Sequence, residues 1–93
     1  MPGPGIARVG VDTAGGTQLG GGQSFVRING NLIVLLGDPV EGHAPCPDVP
    51  IHCAPVMATS SSLTRINGTY ICRQGDRAEC GHESTGASWV TSL

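Results

Sequence analysis

The side chains best equipped for chemistry are His43, His52, His82 and the cysteines Cys46, Cys53, Cys72 and Cys80. All three histidines and three of the cysteines fall in two stretches, 39–59 and 77–87. A lone histidine in a loop is ordinarily a solvated residue. Gathered together, four His/Cys ligands close a tetrahedral structural zinc site, which contributes folding free energy directly. The preferred set is His43, His52, Cys80 and His82, three nitrogens and one thiolate. Cys80-Gly81-His82 would put both side chains on one side of an extended segment, as joint ligation requires. Cys46 and Cys53 are either rival ligands or a disulfide closing a small loop, and a reducing compartment disfavours the disulfide. Cys72 lies in a strand-like run and reads as a small packed hydrophobe.

A catalytic zinc is the alternative. It needs an open coordination position and usually a carboxylate acting on the bound water, and Glu41, Glu79 and Glu83 all neighbour the proposed ligands. Against an enzyme, the chain has no HExxH, no nucleophile elbow and no phosphate-binding glycine motif leading into a helix. Four candidate ligands would fill the ion. The expectation is therefore a structural metal, no catalytic residues and no enzyme.

An internal repeat must position these ligands. Residues 26–38 read VRINGNLIVLLGD and residues 64–76 read TRINGTYICRQGD, 38 residues apart with 7 of 13 positions identical. Residues 7–12 resemble the end of this unit, with one residue inserted before the acid. Residues 88–90 resemble its beginning. A third copy is thus split between the chain ends, which predicts that the two ends lie side by side. Asn29-Gly30 and Asn67-Gly68, flanked by strand formers, predict type I′ hairpin turns. The Gly-Asp steps at 37–38 and 75–76 end each hairpin. No segment carries helical periodicity with caps. The expected architecture is all-β, with short hairpins and three long loops, 13–23, 39–59 and 77–87; the first has no ligand side chain.

Composition narrows the function classes. Ninety-three residues and 9.5 kDa make one domain, 1–93, small enough to need a staple, a metal or a partner. There is no lysine, and five arginines are outnumbered by seven acids, so no basic stripe exists to bind nucleic acid. The longest apolar run, Leu32 to Leu36, is far too short to span a membrane. The start of the chain is neither basic nor hydrophobic, which predicts synthesis in the cytoplasm without a signal peptide.

The repeated Ile-Asn-Gly turn, the Arg-Val-Gly and Arg-Gln-Gly-Asp strand ends, the stretch Ala54-Pro55-Val56-Met57-Ala58-Thr59 and Cys80-Gly81-His82 together resemble the PAAR-repeat family. The resemblance runs from about Ile6 to Val90, and its nearest variety is the short spike-tip protein of contractile phage tails and type VI secretion machines. It implies a cone-shaped pseudo-three-fold β-domain with zinc near the vertex, held by three histidines and one cysteine. Those ligands fit His43, His52, His82 and Cys80. The base would cap a trimeric β-helical spike of the VgrG or phage central-spike kind for envelope piercing, one tip per trimer. An effector is a further possible partner. Delivery would be by the machine itself, with no stable membrane insertion, and the chain's end at Leu93 implies no fused toxin domain. Two features depart from the family pattern: the first loop lacks a histidine, and the pair Cys46 and Cys53 is additional. Phe25, Leu63 and Trp89 occupy equivalent repeat positions, as candidates either for the partner-binding base or for core packing beneath it. The alternatives are a zinc-dependent hydrolase and a small zinc-stabilised β binding module.

Overall fold

The computed structural model of the chain describes residues 4–92. Regular structure is almost entirely strand. Among the described residues there are three two-stranded antiparallel sheets: β1 (Thr13–Ala14) with β2 (Gly16–Thr17), β3 (Arg27–Ile28) with β4 (Asn31–Leu32), and β5 (Arg65–Ile66) with β6 (Thr69–Tyr70). A 3₁₀ turn, Pro50–His52, interrupts them. The two Asn-Gly turns adopt the expected geometry, with φ of 50° and 89° at Asn29-Gly30 and 52° and 88° at Asn67-Gly68. The β1–β2 hairpin was not expected. It folds residues 13–17, read from sequence as open loop, about Gly15.

The regular hairpins stop after two residue pairs because each second strand then turns to other parts of the chain. Segments 6–9, 33–36 and 71–74 occupy corresponding repeat positions and bond to one another in closed cycles. Ala7 N–H donates to Cys72 O (3.0 Å), Cys72 N–H to Val34 O (2.9 Å) and Val34 N–H back to Ala7 O (3.1 Å). A second cycle runs from Val9 N–H to Leu32 O, Leu36 N–H to Tyr70 O and Gln74 N–H to Gly5 O, at 2.7, 2.9 and 2.6 Å. Backbone polar groups in the centre of so small a body cannot reach water, and these cycles satisfy them.

The chain ends complete the set. Ile6 N–H donates to Val90 O as Ile33 does to Val26 O and Ile71 does to Thr64 O. Gly5 pairs with Thr91, and Ser92 N–H reaches Pro4 O at 3.0 Å. The two ends therefore lie together as an opened hairpin, in register with the two closed ones.

Side-chain size follows these positions. Ile6, Ile33 and Ile71 gather with Ile28 and Leu35 in one buried cluster, flanked by Ile66 and Val90. Ala7, Val34 and Cys72, each fully buried, lead a second cluster with Ala14, Val40, Ala78 and Met57. Burying one such Ile or Leu is worth about 1.5–3 kcal/mol, so a substitution such as Ile71→Ala removes support shared by several segments. Burial pushes the Cys72 thiol up to about 12, with the Asp76 and Asp38 charges adding to the shift. Cys72 behaves as the packed hydrophobe its setting predicts.

Each strand end is locked by an aspartate. Asp12, Asp38 and Asp76 are all buried, and each carboxylate accepts the backbone N–H of a residue three or four positions back: Arg8 (2.7 Å), Leu35 (2.8 Å) and Arg73 (2.7 Å). Arg8 and Arg73 add ion pairs to Asp12 and Asp76 at 2.9 and 3.1 Å. Leu35 cannot. Beyond these turns the chain enters the loops that carry the ligands.

Candidate metal centre

Two loops deliver the four predicted ligands to one point. The first leaves the body at Val40, whose N–H donates to Pro55 O, and Glu41 N–H then donates to Thr17 O on β2. His43 N–H donates to His52 O at 3.0 Å, so the loop crosses itself where its two histidines stand. Cys46 and Cys53 are joined as a disulfide inside this crossing. The reducing-compartment argument disfavoured that pairing, but the crossing brings the two Cα atoms to 5.1 Å, which suits a disulfide. The bond takes Cys46 and Cys53 out of the ligand set.

The second loop turns between Arg77 and Glu83, which pair as an antiparallel bridge. Cys80-Gly81-His82 was expected to be extended. It is a tight turn instead: Gly81 has φ of 94° and donates its N–H to Ala78 O at 2.9 Å. A turn, like an extended strand, presents both flanking side chains to one centre, and glycine accommodates its positive φ without strain.

One ligand atom from each of His43, His52, Cys80 and His82 falls in a group whose members all lie within 4.8 Å of one another. His43 Nε2 is 3.1 Å from His52 Nδ1 and 3.7 Å from Cys80 Sγ. In a tetrahedral site with ordinary Zn–N and Zn–S bonds, neighbouring donor atoms are about 3.3 Å (N···N) and about 3.6 Å (N···S) apart. The three imidazole centroids form a nearly equilateral triangle with sides of 4.9, 5.1 and 5.2 Å, each pair edge to face.

The donor chemistry is consistent with this geometry. His43 Nδ1 donates to Glu41 O at 2.9 Å, which fixes the tautomer and leaves the Nε2 lone pair facing the cluster. Burial and the neighbouring His43 and His82 imidazoles hold His52 below the ordinary histidine range, favouring the neutral form that a metal requires. Cys80 packs against the Ala7–Val34–Cys72 cluster, so the ligand group continues directly from the core.

A glycine that the sequence did not mark as functional completes the site. A Cβ on Gly15 would lie 2.6 Å from His43 Nε2 and 2.6 Å from His82 Cδ2, at φ of 84°. The ligand-free first loop thus contributes bare backbone against which two imidazoles pack. The available signal was the Gly15-Gly16 pair between residues able to form strands, which reads as a tight turn but gives no hint of what approaches it.

Of the other candidates, Glu41, Glu79 and Glu83 are exposed, and Glu83 lies 3.7 Å from Arg77. Phe25, Leu63 and Trp89 are 69, 68 and 59% exposed, outside both core clusters. Among the described residues no helix is long and apolar enough to cross a membrane. In comparisons with known proteins, no family model matches the chain and no curated protein matches it.

Proposed function

We propose that this chain is the tip of a contractile injection machine: a cone with pseudo-three-fold symmetry whose base caps a trimeric β-helical spike and whose vertex is stapled by zinc. The observation that carries the reading is the closed cycle of three corresponding segments, combined with large exposed apolar residues at three equivalent positions. A monomer built on such a cycle offers three similar faces to three identical chains. A trimeric spike ends in open strand edges, which are prone to aggregation unless covered, and main-chain pairing tolerates the differences among Phe25, Leu63 and Trp89.

The direction of the cone rests on the two clusters. Val26, Thr64 and Val90, each next in sequence to an exposed apolar residue, hydrogen-bond to the three isoleucines of the larger-residue cluster. The ligand group joins the smaller-residue cluster through Cys80. The broad apolar end is then the base and the ligand end the vertex. A vertex too narrow for a hydrophobic core is a place where a metal can substitute for one. His43, His52, Cys80 and His82 would hold the ion, which supplies cross-linking between two loops and no reaction. The tip would be made in the cytoplasm and carried out on the machine, with or without an effector.

Native mass spectrometry of the metal-loaded chain mixed with a trimeric spike from its own machine tests the reading. One chain per spike trimer, with one zinc, is expected. No complex, or one chain per spike subunit, would leave a small metal-stabilised β-module with a different partner.

A further inference from the structure

The geometry points to a redox-coupled metal centre: the Cys46–Cys53 disulfide and the metal order the same loop, so each strengthens the other. This rests on the metal reading above but not on the spike. Two of the four ligands, His43 and His52, lie on that loop. His43 is three residues before Cys46, and His52 immediately precedes Cys53. No residue from Glu41 to Ala54 is buried, so the core does not hold the loop in place. Within the loop, its backbone is held by the His43 N–H to His52 O bond and by short-range bonds such as Cys46 N–H to His43 O, Val49 N–H to Pro45 O and Cys53 N–H to Pro50 O, all among solvent-accessible residues. Such bonds contribute little once the loop can open. The disulfide and the ion are the two strong cross-links available to it.

Reduction proceeds by thiol exchange. A small dithiol, or two monothiols, transfers two electrons and two protons: the Cys46–Cys53 bond becomes two thiols and the reductant becomes a disulfide. The His43 N–H to His52 O bond, between solvent-accessible residues, is then left to hold the two ligands together, and metal binding must supply the ordering that the covalent bond had supplied. Coupling between two sites is reciprocal. Whatever factor the disulfide adds to metal affinity, bound metal must add to the oxidised-to-reduced ratio of the disulfide. Loop-closure entropy for a ring of this size sets a ceiling of about 60-fold on that factor. A factor of ten corresponds to about 30 mV in the potential of this two-electron couple.

The test is a thermodynamic square on the full chain. Zinc affinity is measured by chelator competition for the oxidised protein, for the protein reduced with a phosphine, and for Cys46→Ser/Cys53→Ser without reductant. The disulfide is then titrated in glutathione redox buffers with free zinc clamped low or saturating. Both reduced forms are expected to bind zinc at least tenfold more weakly than the oxidised form. Saturating zinc is expected to shift the redox midpoint toward the disulfide by the same factor. Equal affinities in all three forms would overturn the coupling while leaving the metal centre intact. Tighter binding by the phosphine-reduced protein, lost in the double serine variant, would instead make Cys46 and Cys53 alternative ligands. Absence of zinc binding in every form would overturn the coupling together with the metal reading.

Discussion

Gly15→Ala should impair the metal centre although position 15 supplies no ligand. Two effects act at this residue. Its φ of 84° places any L-residue in the left-handed region, at a cost of about 1–2 kcal/mol, offset by about 0.4–1 kcal/mol from the stiffer unfolded chain. The second effect is contact. A Cβ 2.6 Å from His43 Nε2 and from His82 Cδ2 lies about 0.8 Å inside ordinary van der Waals contact, so two imidazoles must move by comparable amounts. A metal site tolerates ligand errors of only about 0.2 Å, and two of four ligands would exceed that. Gly37→Ala separates the effects, since Gly37 has φ of 87° and open space where its Cβ would go. Both variants should lose a similar small stability in the metal-free protein, measured by thermal melting with chelator present. Zinc affinity by chelator competition should fall at least about 100-fold in Gly15→Ala, at or beyond the upper end of typical outer-shell effects, and stay within about threefold in Gly37→Ala. Equal zinc affinities in the two variants would refute the claim that the first loop's backbone shapes the site.

Two further outcomes are expected. Burial raises the pKa of Asp12, but hydrogen bonds from Arg8 and Thr85 outweigh it and hold the carboxyl below its ordinary value, so its stabilisation is present above the unfolded pKa and lost as pH falls through the folded one. Burial pushes Asp38 up, only partly countered by the Leu35 and Gly22 N–H groups, so its contribution runs the other way and fades as pH rises. In metal-free protein, Asp12→Asn should therefore cost about 1–2 kcal/mol near neutrality, a deficit that shrinks below about pH 4. The Asp38→Asn deficit should instead grow as pH falls through the raised folded pKa of Asp38, at pH above the ordinary carboxylate value, and level off below it; parallel melting curves against pH for both variants would contradict the assignment. Separately, Phe25→Ser, Leu63→Ser and Trp89→Ser should each change stability by less than about 0.5 kcal/mol, because these side chains are exposed, yet weaken capture by a trimeric spike. A large drop in melting temperature without loss of capture would return them to a packing role.

The repeat made much of this molecule legible. The Asn-Gly turns, the Gly-Asp locks and the juxtaposed chain ends all follow from local residue types and one 38-residue offset. The ligand loops were legible, because Cys72 sat in a strand and the other His and Cys residues crowded two loops; His43, His52, Cys80 and His82 were only the preferred four of six candidates, and it is the Cys46–Cys53 disulfide that removes the other two. What could not be read depends on where loops cross. The Cys46–Cys53 disulfide follows from the His43–His52 backbone bond, which no propensity encodes. The close approach of Gly15 to two imidazoles is likewise a tertiary fact, and a glycine pair looks the same whether it faces solvent or a ligand. Continuation of the two central strands into bonds with other segments was hidden too, since alternation predicts that a strand pairs but not with what.

The departures from the repeat explain how a three-part body can hold a four-ligand ion. Three identical loops would supply ligands in multiples of three, and a tetrahedral ion takes four. Here the contributions are uneven: two imidazoles from the long loop, an imidazole and a thiol from the third, and only glycine backbone from the first. That division permits a nearly equilateral triangle of imidazoles with Cys80 as the fourth donor. It also sets the demand on each loop. The first must be bare, so Gly15 yields space. The third must turn sharply, so Gly81 takes positive φ. The second must hold two ligands with no buried residue of its own, and it is the loop that carries a disulfide. The same logic applies at the strand ends, where Leu35 stands in the place of Arg8 and Arg73. It gives up an ion pair to Asp38 and fills the isoleucine cluster instead. Identity across the repeat is kept where backbone geometry demands it and abandoned where one centre must be filled by three unequal neighbours.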